Sequence, residues 1–370
     1  MSVATIEVSL TALLNNVAYL RKICPTSQIM AIVKANAYSH GKEKVAILLD
    51  NYVDYFGVAR LEEGIDLRKK GIQSPIVLLE GFFLHDDPSL LQQYGLETVI
   101  HCSQQIDALA RLPKTMSISC WFKIDTGMHR LGFRIDQAVD YFKQLACCEA
   151  VKKPINIISH FCSADNLTAN ETMTQISLFD RFIDQIDDSS LLGKQTIAAS
   201  GGILAWSESH RDVIRPGIAL YGVSPFDYNE DGKATGMQLG LRPVMTFKSE
   251  IITIREHNKN EAVGYGQIWR SEQDTCLGVV AMGYGDGYPR DILPGTPVWI
   301  NGRLVPIVGR VSMDMILIDL GLNSDDQAGD EVIFWGNEAL PVEKIAAYSG
   351  MSAYELLTRI TERAKLRYVD

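Results

Sequence analysis

Eight short apolar runs, separated by stretches of helical periodicity, limit what this chain can fold into more than any other feature. They cover residues 29–36, 55–59, 76–79, 97–101, 117–125, 154–160, 195–200 and 212–217. The runs are apolar throughout rather than alternating, the pattern of strands covered on both faces. Between them, residues 61–70 and 177–186 place apolar side chains three and four apart, as an amphipathic helix requires. Thr11 and Ser103 stand where helix N-caps are expected. Eight strands alternating with helices predict a (β/α)₈ TIM-type barrel over residues 1–235. From residue 236 to 370 the chain becomes β-branched and punctuated by Gly and Pro, with Asn301-Gly302 as a two-residue hairpin signal. This predicts a second, mostly β-strand domain, and residues 1–10, which have no slot among the eight strands, are expected to pair with it.

Charge and composition narrow the partners. Lys and Arg number 35 against 45 Asp and Glu, a net charge of −10. An acidic chain repels phosphate backbones and anionic headgroups, so no nucleic-acid or membrane partner is expected. The longest apolar runs fall far short of the roughly 20 residues of a membrane-crossing helix, and the opening MSVATIEVSL lacks the basic start of a secretory leader. Seven cysteines, an odd number with no C-x-x-C, read as reduced thiols. The expected location is therefore cytoplasmic. His and Cys show no ligand spacing, so no metal is expected.

Barrel enzymes carry their chemistry at the C-terminal ends of strands. There the chain offers Lys34, Lys123, Asp125, Arg130, His160, Ser200 and Arg215. The stretches after the last two strands read ASGG and RPGI. Glycines let backbone N–H groups approach an anion, so these loops suit a phosphate; the competing reading is that they only close tight turns. Lys34 lies in an otherwise apolar or small run, AIVKANA. A buried lysine either loses its charge and turns to Schiff-base chemistry, or is ion-paired or snorkelling. A phosphate cradle on the same barrel favours the first, because pyridoxal phosphate needs both a lysine and a phosphate site.

The segments VKANAYSHG, KIDTGMHRLGF, ISHF, IAASGG, IRPGIALYG, VGYG, AMGYGDGYPR, VGRVSMDM and AYELLTRI occur in this order between residues 33 and 360. Jointly they resemble the alanine racemases, most closely those of proteobacteria. One departure is Ser39, where the family usually has glycine.

The resemblance implies an amino-acid racemase with pyridoxal 5′-phosphate as cofactor. Lys34 would carry it as a Schiff base and serve as base for D-alanine, and Tyr265 would be the base for L-alanine. A free phenol, with a pKa of about 10, is a poor base near neutrality, so His160 and Arg215 would supply its setting. Taken alone, Tyr265 reads more readily as a packed strand tyrosine. Arg215 resembles the partner of the ring nitrogen; a guanidinium only donates, so that nitrogen would stay unprotonated. A structural salt bridge is the plainer alternative. Tyr38, Ser200, Gly217, Ile218 and Tyr354 resemble phosphate ligands. Arg130 and the backbone N–H of Met313 resemble contacts to the substrate carboxylate, and Lys123 a lysine that is often carbamylated. Asp165, Tyr284, Arg290 and Arg310 resemble the polar channel leading to the site. The family works as a head-to-tail homodimer with shared sites, one copy's β domain closing the other's barrel. D-Alanine would feed peptidoglycan precursors, or the enzyme would act in alanine catabolism. Competing readings are a racemase of wider scope that takes serine, a decarboxylase of similar architecture, a non-catalytic cofactor-binding protein, and a barrel with no cofactor. The decarboxylases place a carboxylate where this chain has Arg215.

Overall fold

The computed structural model describes residues 3–168, 170–228 and 235–370. The chain divides into two compact units, one of Val17–Ala37 and Lys42–Leu220, the other of Met1–Asn16, Tyr38–Gly41 and Tyr221–Asp370.

The first unit is a ring of parallel strands with helices between them. Gln28–Ile32, Tyr55–Val58, Ile76–Leu78, Leu96–Ile100, Cys120–Asp125, Ile155–Ile158 and Leu192–Thr196 pair in chain order. Val213–Ile214 returns to the first, with Val213 opposite Gln28. A parallel bridge between Ala199 and Arg215 brings the ring to near closure. The strands are buried on both faces: Ile29, Met30 and Ala31 are each 0% exposed, which is why the sequence shows runs and not alternation.

An aromatic cluster fills one wall. Phe122 stacks on Phe133 at 4.7 Å, meets Phe142 edge-on at 5.4 Å and stacks on Phe182 at 5.8 Å. Phe122 is fully buried. Phe122→Ala is expected to destabilise the protein by about 3–5 kcal/mol, read as a lowered urea midpoint with an unchanged slope; an unchanged midpoint would show that the cluster is not packed as described.

Several local expectations need correction. The run predicted as a strand over 29–36 stops at Ile32, and Lys34 leads into a turn whose backbone is left-handed from Ala35 to Ser39. Ser200, placed at a strand end, instead begins the helix Ser200–Ala205. Thr11 is not the first cap: Ser9 Oγ accepts the Ala12 N–H at 3.1 Å. Nor does Ser103 cap its helix; it is the first residue of Ser103–Ala110, with Cys102 in the cap position. The periodicity seen over 177–186 belongs to a longer helix, Glu171–Asp184.

The second unit is built on an antiparallel sheet. Met245–His257 pairs on its two halves with different neighbours. From it the hydrogen-bonded path runs through Thr275–Val280, Ile316–Asp319, Arg303–Val308, Pro297–Ile300 and Glu331–Trp335 and back to it. Thr5–Ser9 lies beside Met245–His257 and carries Lys365–Val369 on its other edge. Ile300 pairs with Arg303 across Asn301 and Gly302, whose φ values of 44° and 83° are those of a primed hairpin turn. A small hairpin pairs Ala262–Val263 with Trp269–Arg270, and Tyr265 sits in its connection.

Candidate active site

In the barrel unit, the candidate side chains sit at or near the ends of strands. Lys34 follows the first strand and is half-buried. Burial pushes its amine pKa below the ordinary lysine value; Glu80 and Glu63 oppose this, and the cations Arg130 and Arg215 reinforce it. An amine drawn toward its neutral form is a nucleophile and a proton acceptor.

The backbone after Lys34 is unusual. Ala35, Asn36, Ala37, Tyr38 and Ser39 all have φ between 52° and 64°. Left-handed conformation costs a non-glycine residue roughly 1–2 kcal/mol, so five in succession persist only where bonds hold them. The Ala35 N–H donates to Glu63 Oε1 at 3.0 Å. The Ala37 N–H donates to the Val33 carbonyl at 2.9 Å. Asn36 Oδ1 accepts the Lys42 N–H at 2.9 Å. Ser39, the position where glycine was expected, has φ 64°. The residue glycine would serve best is thus a serine carrying the strain.

Arg215 is 4% exposed. Its guanidinium donates to Thr196 Oγ1 at 2.7 Å, to the Ser159 carbonyl at 2.7 Å and to the Ile197 carbonyl at 3.2 Å. It also faces His160 Nδ1 at 3.2 Å. Among the described residues it makes no ion pair with a carboxylate, which removes the structural salt bridge as its explanation. Burial presses its pKa down to about 9, so it remains a cation at neutral pH. His160 is held well below the usual histidine value by burial and by Arg215, Lys123, Arg130 and Lys34. It is therefore neutral at pH 7. Because its Nδ1 accepts from Arg215, its proton sits on Nε2.

Ser200 is 2% exposed, and its hydroxyl accepts the Gly217 and Ala219 N–H groups at 3.1 Å and 3.2 Å. This ties the two glycine-bearing loops together. A Cβ on Gly201 would lie 3.3 Å from Ala164, so glycine lets the backbone pass close there. Ile218 is fully buried beside them. Lys123 is 9% exposed; burial and the neighbouring Arg215, Arg130 and Lys34 push its pKa down to about 8. Arg130 is exposed, as is Asp165 in the loop after Ile155–Ile158.

In the other unit, Tyr38 is buried, and burial raises its phenol to about 12. Its ring lies 5.0 Å from Tyr221 and 6.2 Å from Tyr354. Tyr265 is 69% exposed and Met313 52%. A Cβ on Gly266 would approach Arg310 Nη1 at 3.4 Å, which places the Tyr265 turn beside Arg310. Tyr284 and Met313 sit on touching segments, since the Gly285 N–H donates to the Met313 carbonyl at 2.9 Å. Arg290 is exposed and pairs with Asp291 at 2.9 Å.

The barrel thus gathers Lys34, Lys123, Arg130, His160 and Arg215 into one electrostatic group, with Gly217 and Ile218 just after Arg215 in the chain and Ser200 tied to Gly217 through its hydroxyl. Sequence reasoning missed the side chains that fix them. Gln175 Nε2 donates to Thr126 Oγ1 at 3.1 Å and to the His160 carbonyl at 3.0 Å. Thr126 in turn meets Ser159 Oγ at 2.8 Å. Neither these residues nor Thr196 carries a local signal, because each acts on a partner brought near by strand register.

The residues suit an anionic aldehyde such as pyridoxal phosphate. A lysine amine has its charge disfavoured, a buried arginine has no carboxylate partner among the described residues, and a buried hydroxyl links two glycine loops. Residues 8–225 match the family model "alanine racemase, N-terminal domain" and residues 244–368 match "alanine racemase, C-terminal domain". An alanine racemase of Pectobacterium carotovorum is 52% identical over 370 residues, covering 100% of this chain and 99% of that one. The crystal structure of biosynthetic alanine racemase from Pseudomonas aeruginosa superposes with a TM-score of 0.93 at 36% identity, covering 100% of both chains. Alanine racemase from Bartonella henselae with covalently bound pyridoxal phosphate gives a TM-score of 0.88 at 28% identity, again over 100% of both.

Proposed function

The chain belongs to the alanine racemases, pyridoxal-phosphate-dependent isomerases, and from that premise we propose that it interconverts L- and D-alanine with two bases, Lys34 and Tyr265, on opposite faces of the substrate. The observation that carries this is the half-buried Lys34 amine, drawn toward neutrality among Arg130, Arg215 and His160. When bound, the cofactor offers a carbonyl for an amine to condense with and a ring that withdraws electrons from the substrate Cα. Lys34 would hold it through its amine until the substrate's own amine takes that place; the freed Lys34 Nζ then takes the Cα proton of D-alanine, and Tyr265 Oη takes that of L-alanine; each returns a proton in the opposite direction. Arg215, a fixed donor, would hold the ring nitrogen by a donated hydrogen bond and could not protonate it. Tyr38, Ser200, Gly217, Ile218 and Tyr354 hold the phosphate. Arg130 and the Met313 N–H hold the substrate carboxylate, while Asp165, Tyr284, Arg290 and Arg310 line the way in.

The same reading makes the active form a head-to-tail homodimer, in which one copy's Tyr265 and Met313 serve its partner's barrel. Their exposure in the single chain supports it, because a proton-transfer group works best shielded from water. No helix among the described residues is long and apolar enough to cross a membrane. A cytoplasmic enzyme supplying D-alanine for peptidoglycan precursors, or acting in alanine catabolism, fits this. The test is direct: the cofactor-loaded protein should bring L-alanine to zero optical rotation, and a solution that keeps its rotation would end the proposal. Run on L-serine, the same assay separates strict alanine use from a wider racemase.

Lys123 adds a second expectation. With a pKa of about 8, its amine is about half neutral at pH 8. A neutral amine adds carbon dioxide, forming an N–C bond and releasing a proton. The resulting carbamate is an anion that Arg130 can hold by charge-assisted bonds. Enzyme equilibrated with ¹³C-bicarbonate at pH 8 should show one carbamate carbon resonance that weakens toward pH 6 as the amine protonates. Persistence of that resonance in Lys123→Ala would assign it elsewhere.

A further inference from the structure

The turn after Lys34 rests on a carboxylate that the reading above does not use. Glu63 stands in the first turn of the helix Leu61–Lys69 and divides its two oxygens between two backbone segments. Oε2 accepts the Ala59 N–H at 2.8 Å and the Arg60 N–H at 3.3 Å, closing the start of the helix. Oε1 accepts the Ala35 N–H at 3.0 Å. On the same helix, Asp66 pairs with Lys42 Nζ at 3.3 Å, just past the turn. A helix cap needs only the first set of bonds. The reach to Ala35 is additional, and Ala35 is both the residue next to Lys34 and the first of the five left-handed residues.

We propose that Glu63 is a positioning residue: by pinning the Ala35 amide to the helix entrance, it holds the left-handed turn in place and fixes the direction of the Lys34 amine. This rests on the reading that Lys34 is the reacting amine. Relaxation of the turn toward ordinary backbone would swing Lys34, and a displacement near 1 Å at a reacting atom costs about 10²-fold in rate. Glu63 is negatively charged where Glu80 is also near Lys34, so its removal also alters the amine's electrostatic setting.

The test uses the cofactor-loaded enzyme and the variants Glu63→Gln and Glu63→Asp. Glutamine offers one carbonyl oxygen where the carboxylate offered two, and aspartate is too short to bridge both segments. Three readouts are expected to move together. Amide hydrogen exchange at Ala35 should quicken at least about tenfold, the loss of one charge-assisted bond. The visible circular dichroism of the bound chromophore should fall, as its orientation loosens. kcat should drop about 10- to 100-fold with KM little changed. Exchange at Ala35 and visible dichroism equal to the wild type would overturn the proposal even if the melting temperature fell, since that is the pattern of a helix cap alone. An unprotected Ala35 amide in the wild-type enzyme would overturn it without any variant. Failure of the underlying reading looks different: Lys34→Ala would then keep both chromophore and racemisation, whatever Glu63 does.

Discussion

Lys34→Ala should abolish racemisation from either enantiomer, by more than about 10⁴-fold, and should remove the long-wavelength absorption of the bound cofactor. Two losses are expected because the proposal gives the amine two tasks: to form the covalent attachment, and to move the proton on the D face. The structure supplies a competitor that makes the experiment informative. Lys123 is also buried, with a pKa pushed down to about 8, so amine depression alone does not single out Lys34. Position does. Lys34 is half-buried at the head of a strained turn, whereas Lys123 is 9% exposed inside a strand. If Lys123 carried the attachment, Lys34→Ala would keep its absorption band. An added small alkylamine should restore part of the proton transfer in Lys34→Ala, because it replaces the missing base without rebuilding the turn.

The barrel was legible in the sequence because burial on both faces leaves a mark that survives any choice of register. Residues such as Met30, Phe56 and Val77 are wholly buried, and their neighbours in the chain are buried too, so each strand shows as an unbroken run. The hairpin at Asn301 and Gly302 was legible for a different reason: only residues tolerant of positive φ make so short a turn. The ends of the strands nearest the site were not. Alanine, asparagine and serine say nothing of a left-handed run over residues 35–39; long-range bonds impose it, the Glu63 carboxylate lying 28 residues away from Ala35. Ser200 misled in the same way, because the apolar run before it continues smoothly into a helix.

The candidate site divides along the same line. Lys34 and Arg215 stand out as charges within apolar runs. The groups that hold Arg215 do not, since Thr196 and Ser159 are 19 and 56 residues from it and meet it only through strand pairing. Tyr265 lies at the opposite extreme. Nothing in its local sequence marks it except the two glycines that flank it, both at positive φ, and its side chain is 69% exposed. Only the resemblance to the family drew attention to it.

Tyr265→Phe keeps the ring and removes only the oxygen that would take or give a proton. Cα–H exchange from L-alanine into deuterated water should fall about 10²- to 10⁴-fold, while exchange from D-alanine, which on the proposed mechanism uses Lys34, falls far less. Net racemisation should drop equally in both directions, because every turnover needs both groups. Equal loss of exchange from the two enantiomers would argue against separate bases. The same variant reports on assembly. When inactive Lys34→Ala and Tyr265→Phe proteins are mixed and allowed to exchange subunits, a site built from two copies gains in each mixed dimer one pairing of intact Lys34 with intact Tyr265. Statistical mixing then restores roughly a quarter of wild-type activity. A site built within one chain restores none, since each copy still lacks one of its two bases. Recovery therefore decides whether the exposed phenol of one copy works in the barrel of its partner, which is the arrangement that would shield Tyr265 from water.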